Sequence, residues 1–178
     1  LDDPVAQRDG IRGFARSTLP AAVAPTRIVK RGQRLRVGYL SSDLHDHATA
    51  HLAAGMFEQH DRGRVEVFAY ALDRDDGSAM RRRLLQAFEH WHDVGVLADD
   101  EVARRIAGDE LDVLVDLKGH THGARLAILA RRPAPVQLHY LGFPGTIAYP
   151  AVDGVIADAI VAPPGSEGEF AEAVLRMP

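Results

Sequence analysis

Residues able to move protons, hold a metal or let the backbone come close to a ligand gather in three short runs. The first is Ser41, Ser42, Asp43, His45, Asp46, His47, Thr49 and His51; the second is Lys118, Gly119, His120, Thr121 and His122; the third is the turn Gly142-Phe143-Pro144-Gly145-Thr146. Imidazole titrates near neutral pH and can therefore take or give a proton during a reaction. His45-x-His47 with His51 four residues on, completed by His120-x-His122, also has the spacing of metal ligands. The alternative is structural, with loop and helix-start histidines and Ser42 or Asp43 satisfying backbone amides as a cap. Asp73-Arg74-Asp75 is a second metal candidate, but Asp76-Gly77 follows at once, and that combination reads as a turn after a strand. The run Arg81, Arg82, Arg83 reads as a solvated helix face rather than an anion site.

The elements between these runs decide whether they meet. Apolar runs and alternations predict strands over Leu35–Leu40, Val65–Leu72, His92–Val96, Leu111–Leu117, Val136–Tyr140 and Gly154–Ala157. Helices are expected over His51–Gln59, Ala79–Glu89, Asp99–Ala107 and Gly123–Arg131, the last stopped by Pro133 and Pro135. Strands separated by single helices make an α/β fold, a Rossmann-like, mostly parallel sheet with helices on both faces. Each polar run then falls at the carboxyl end of a strand, where open α/β sheets bind ligands, so His47, Thr121 and Gly142 are expected at one edge. Residues 1–34 read differently: helix-like from Asp9 to Leu19, then Pro20 and Pro25 among alanines, then Arg27, Lys30, Arg31 and Arg34, with Arg36 continuing the basic stretch into the first strand. That segment is expected to be a linker or the remnant of a preceding helical repeat, with residues 35–178 forming the catalytic subdomain.

Composition narrows the classes. The chain has 178 residues, 46% hydrophobic and 26% charged, enough to bury one real core. A net charge of -4 and a pI near 6.1 supply no global basic field, which argues against nucleic acid. There is no cysteine, so disulfides and thiolate metal sites are excluded, in keeping with a reducing, cytoplasmic setting. No apolar run is long enough to span a bilayer, and no signal peptide is recognisable.

The run Arg-Arg-Pro-Ala-Pro-Val-Gln-Leu-His-Tyr-Leu-Gly-Phe-Pro-Gly-Thr from Arg131 to Thr146 resembles the catalytic region of the O-GlcNAc transferase and SPINDLY family, above all its bacterial members. Ordered landmarks extend the resemblance from Leu35 onward: Ser41 to Leu52, Phe68 to Leu72 with Asp75-Asp76-Gly77, Leu111 to Leu117 with Gly119-His120-Thr121, and Gly123-Ala124-Arg125. The resemblance implies one half of a GT-B glycosyltransferase. It places His47 and His90 as active-site histidines and Thr121, Leu141, Gly142 and Pro144 at the substrate, the last three lining the donor-sugar pocket. The family often has proline after the first histidine, where this chain has Ala48.

On that resemblance the chain is the N-terminal catalytic half of an inverting protein O-glycosyltransferase. It would move N-acetylglucosamine from a UDP-sugar co-substrate to serine or threonine hydroxyls of a protein or peptide, with no metal or other cofactor. The nucleotide-binding half and tetratricopeptide repeats belong to the longer parent, and this piece is expected to fold without turning over. Two other readings compete: a histidine-liganded metal-dependent hydrolase using Asp43 or Asp46, and a non-catalytic binding domain. Elemental analysis of the purified chain separates the hydrolase from the rest. The transferase reading expects no stoichiometric transition metal, whereas zinc bound by His45 or His47 together with His51 would promote the hydrolase.

Overall fold

The computed structural model describes residues 3–24 and 34–177. The basic residues Arg27, Lys30 and Arg31 and the connector's Pro25 lie outside them. Helix α1 (Pro4–Thr18) is followed by β1 (Leu35–Ser41), α2 (Ala48–Glu58), β2 (Val65–Ala71), α3 (Ala79–Ala87), β3 (His90–Asp93) and α4 (Asp99–Gly108). Then come β4 (Val113–Asp116), α5 (Ala127–Ala130), β5 (Val136–Tyr140), β6 (Gly154–Ala157) and β7 (Ala173–Arg176). The strands form one sheet of seven in the order β3-β2-β1-β4-β5-β6-β7. Every ladder is parallel. The order reverses between β1 and β4, which makes their carboxyl ends the switch point of the sheet.

The two-residue period of the strands divides the core. Val37 and Tyr39 of β1 and Val67, Ala69 and Ala71 of β2 face α2 and α3, meeting Ala53, Ala54, Phe57 and Leu84. Leu40, Phe68 and Tyr70 face the other way, against Val102 and Ile106 of α4 and Ile128 and Leu129 of α5. Helix α1 joins this second face through the buried Ala15. Tyr149 Oη donates to Pro20 O at 2.6 Å, and Val23 N donates to Ala130 O at 2.9 Å, so the segment after α1 is hydrogen-bonded to the sheet domain.

Several boundaries differ from the sequence expectations. Helix α2 begins at Ala48 rather than His51, because His47 caps it and supplies the acceptor that its first amides need. Helix α5 is only Ala127–Ala130, since the expected first turn is consumed by a loop in which Ala124 N bonds Thr121 O and Gly123 takes φ 79°. Strand β3 starts at His90, two residues early, and β7 was not expected: its four residues are mostly exposed and its pattern is too short to read.

Arg81 also departs from the expectation of a solvated arginine face. It is 2% exposed. Its guanidinium lies 4.3 Å over the Trp91 ring, donates to Leu44 O at 3.0 Å and pairs with Asp93. Arg83 does lie on the outer face, bidentate to Glu58. The difference is helical phase: Met80, Arg81 and Leu84 share the buried side of α3. Arg81→Met keeps the stem and removes the bonds. Because the Asp93 side chain is 61% exposed and would be rehydrated, the expected loss is about 2 kcal/mol, measurable by urea unfolding.

Candidate functional site

A cavity of about 660 Å³ opens at the switch point, lined by residues from all three polar runs, among them Asp43, His45, His47, Lys118, Thr121, His122, Arg125 and Gly142. His47 comes from the β1–α2 loop, where it is the N-cap of α2 with extended φ and ψ. Its Nδ1 accepts from Thr49 N at 3.2 Å. The amino end of an eleven-residue helix therefore opens at the cavity, with its positive end suited to an anion.

Behind His47 lies a buried ion pair. Lys118 Nζ is 2.7 Å from both Asp43 oxygens, and both side chains are under a tenth exposed. Thr49 Oγ1 donates to Asp43 Oδ2 at 3.2 Å, and Ser42 Oγ donates to Oδ1 at 3.4 Å. A carboxylate out of water needs such partners, and here they come from the ends of β1 and β4. Asp43 stood among the polar residues of the sequence as a helix cap. Its pairing with a lysine 75 residues away has no local signal, although Lys118 placed directly after the strand-like stretch 111–117 is a hint of a charge that must find a partner.

The neighbouring strand ends are held in a second way. His139 is fully buried, with Nδ1 3.2 Å from Asp116 Oδ2 and Nε2 2.8 Å from Phe143 O. Both nitrogens face acceptors, an arrangement that favours the doubly protonated ring. Burial by itself would lower its pKa, but the Asp116 carboxylate and the Phe143 carbonyl outweigh that and raise it above the ordinary 6.5. The Phe143-Pro144-Gly145 turn is thereby tied to β4. Immediately before it, Leu141 adopts φ 66°, a left-handed conformation costing about 1–2 kcal/mol in a non-glycine residue. Crowding at Gly142 accounts for the sharp bend: a Cβ there would lie 2.1 Å from Leu117 O.

The remaining candidates are distributed as follows. Thr121 lines the cavity and donates its hydroxyl to Lys118 O at 2.8 Å. Leu141 and Pro144 do not line that cavity; they border a separate hollow of about 110 Å³ with Phe143, Ala157 and Val161. His90 is not brought to the cavity: on edge strand β3 its Nε2 is 2.7 Å from Glu66 Oε1, and its ring stacks on Phe68 at 4.2 Å. His92 lies on the same face, stacked on Tyr70 and 3.1 Å from Asp109, with burial the main cause of its lowered pKa.

The histidines of the metal readings point to separate partners. His51 meets Asp46 at 2.7 Å, His45 lies 3.8 Å from Asp73 and 3.7 Å from Asp76, and His120 bonds Ile147 O at 2.8 Å. Asp75 and Asp76 accept the amides of Gly77 and Ser78, so they serve the turn. Hydrogen bonds from the amides of Asp46 and Ser78 hold the Asp76 pKa down at about 2. Among the described residues no group of three or more histidine, aspartate or glutamate side chains is arranged to hold a metal ion. Nor is any helix among them long and apolar enough to cross a membrane.

Fold and site together define a Rossmann-like α/β domain with a polar cavity at the carboxyl edge of the sheet. Residues 18–178 match the family described as Glycosyl transferase family 41, and the chain belongs to that family. It is 37% identical, over 98% of its length, to the probable UDP-N-acetylglucosamine–peptide N-acetylglucosaminyltransferase SEC of Arabidopsis thaliana, and 42% identical, over 84%, to the Caenorhabditis elegans UDP-N-acetylglucosamine–peptide N-acetylglucosaminyltransferase. It spans 17% and 13% of those relatives. A mutant O-GlcNAc transferase from Thermobaculum terrenum superposes on 99% of this chain with a TM-score of 0.91 at 35% identity, and the chain covers 34% of it.

A pH test follows from His139. Its pKa is raised on folding, so the stability it contributes is complete below about pH 6.5 and is lost as pH rises through the folded value. The gap in unfolding midpoint between the native chain and His139→Gln should narrow as pH rises above about 6.5, as followed by circular dichroism. A constant gap would mean that the ring stays neutral.

Proposed function

We propose that this domain supplies the acceptor-side half of a protein O-glycosyltransferase that moves N-acetylglucosamine from a UDP-sugar to serine or threonine hydroxyls. The observation that carries the reading is the convergence of His47, Thr121 and Gly142 on one cavity at the switch point of a family 41 fold. In this reading a second nucleotide-binding half of the parent chain closes over the cavity and holds the donor. The names of the relatives support UDP-N-acetylglucosamine as that donor and a peptide as acceptor.

Transfer requires the acceptor proton to leave the hydroxyl and the charge of the departing diphosphate to be met. His47, at the cavity wall and at the amino end of α2, is the group assigned to the reacting atoms. Thr121 and the Gly142 turn border the sugar, glycine allowing the backbone to approach, while Leu141 and Pro144 form an apolar wall for an N-acetyl group. His90 takes no part at the reacting centre in this assignment. The reading invokes no metal: His47 and His122, both on the cavity, offer hydrogen-bonding groups for a diphosphate, while the Arg125 guanidinium at its margin is held by Asp99 and the carbonyls of Gly95 and Leu97.

His47→Ala in the complete enzyme should lower turnover by roughly a hundred- to ten-thousand-fold, the range for losing a proton-transfer group. Stability should change by only about 1 kcal/mol, the usual worth of an N-cap. Turnover and thermal unfolding measured on the same variant decide the matter. Near-normal transfer by a folded variant would sink the assignment and leave the binding-domain reading in its place.

A further inference from the structure

His47 has two ring nitrogens, and the chemistry it can do depends on which of them carries the proton. A backbone amide can only donate, so the Thr49 N–H at 3.2 Å requires Nδ1 to be the acceptor. The one alternative partner of Nδ1 is Asp43 Oδ2, 3.5 Å away. That oxygen is already engaged by Lys118 Nζ at 2.7 Å and Thr49 Oγ1 at 3.2 Å, which together occupy its two lone-pair directions. The other carboxylate oxygen takes Lys118 again and Ser42 Oγ. An Nδ1–H would thus find its acceptor saturated and would also strip Thr49 N of its cap.

We infer that Lys118 and Thr49 are positioning residues that fix the His47 tautomer by occupying Asp43, so that the resting ring presents Nε2–H to the cavity. The inference deepens the reading of His47 as the group at the reacting atoms. A ring in this state donates a hydrogen bond, to a diphosphate oxygen or to the oxygen of the acceptor hydroxyl. It cannot accept the hydroxyl's proton at Nε2 until Nδ1 gives up Thr49 N and Asp43 is freed to receive Nδ1–H. The pairing of Asp43 with Lys118 therefore sets whether His47 works as a donor or as a base.

The ring state can be read without substrate. In long-range proton–nitrogen correlation spectra of this chain with labelled histidine, recorded well above the histidine pKa, His47 should show the pattern of the Nε2–H tautomer. Thr49→Val, nearly isosteric, removes one bond from Asp43 Oδ2 and leaves the Thr49 amide in place. It should move the tautomer ratio toward Nδ1–H by about tenfold, as expected when a hydrogen bond to a charged acceptor becomes available. Lys118→Met should move it in the same direction. If loss of the buried ammonium prevents folding, Thr49→Val decides alone. A native ring already in the Nδ1–H form, or a ratio unmoved in every folded variant, overturns the inference. This outcome is independent of turnover: the tautomer result can fail while His47→Ala still abolishes transfer, and transfer can prove absent while the tautomer stands.

Discussion

Two carboxylates taken out of water at the carboxyl edge of the sheet dictate how the loops above them are arranged. A buried charge survives only with a partner and hydrogen bonds. Asp43, just beyond β1, finds Lys118, just beyond β4; Asp116, the last residue of β4, finds His139 in β5. The strands are adjacent, so the two pairs lie side by side and lace three strand ends together. Asp116 Oδ2 also accepts from Gly119 N at 2.6 Å, which turns the chain back immediately after Lys118. Asp43 and Lys118 line the cavity, and the Asp116–His139 pair braces the strand ends beside it.

Backbone clearance completes the edge. Gly119 has φ 56°, and a side chain there would meet Phe143 Cβ at 2.7 Å and His139 Cε1 at 2.8 Å. With Gly142 pressed on Leu117 O, the second and third polar runs approach to backbone contact, which is how a turn after β5 comes to border a cavity floored by β4. The strain at Leu141 is borne where three strand ends crowd together, and the clamp from His139 to Phe143 O holds it.

The opposite region of the sheet shows what the histidines do when they are not at a strand's carboxyl end. His90 and His92 alternate with Trp91 on edge strand β3 and stack on Phe68 and Tyr70 of β2. Arg36 lies 4.9 Å from the Phe68 ring on the same cluster. Glu66 bonds the His90 ring, and His92 lies between Asp109 at 3.1 Å and Arg105 at 3.0 Å. Geometry thus separates two kinds of histidine that composition cannot: His47, with one nitrogen committed to a helix cap and the ring on a cavity, and His90, held by packing.

Periodicity and punctuation in the sequence already determined the α/β class, the parallel sheet and the gathering of the three polar runs. These follow from local rules: apolar alternation makes strands, prolines end α5, and parallel strands must all end at one edge. The family was legible in the order of its landmarks from Leu35 onward. Tertiary structure alone decided the rest. The phase of α3 buried Arg81 while leaving Arg83 on the outer face, and residue type alone does not distinguish arginines two apart in one run. The N-cap role of His47 moved the start of α2, because an imidazole can replace the usual capping oxygen only if the loop turns its Nδ1 inward. Lys118 met Asp43 across 75 residues, and His139 met Asp116 across 23, through sheet order. Such pairings depend on which strands become neighbours, a property of the folded sheet and not of any segment within it.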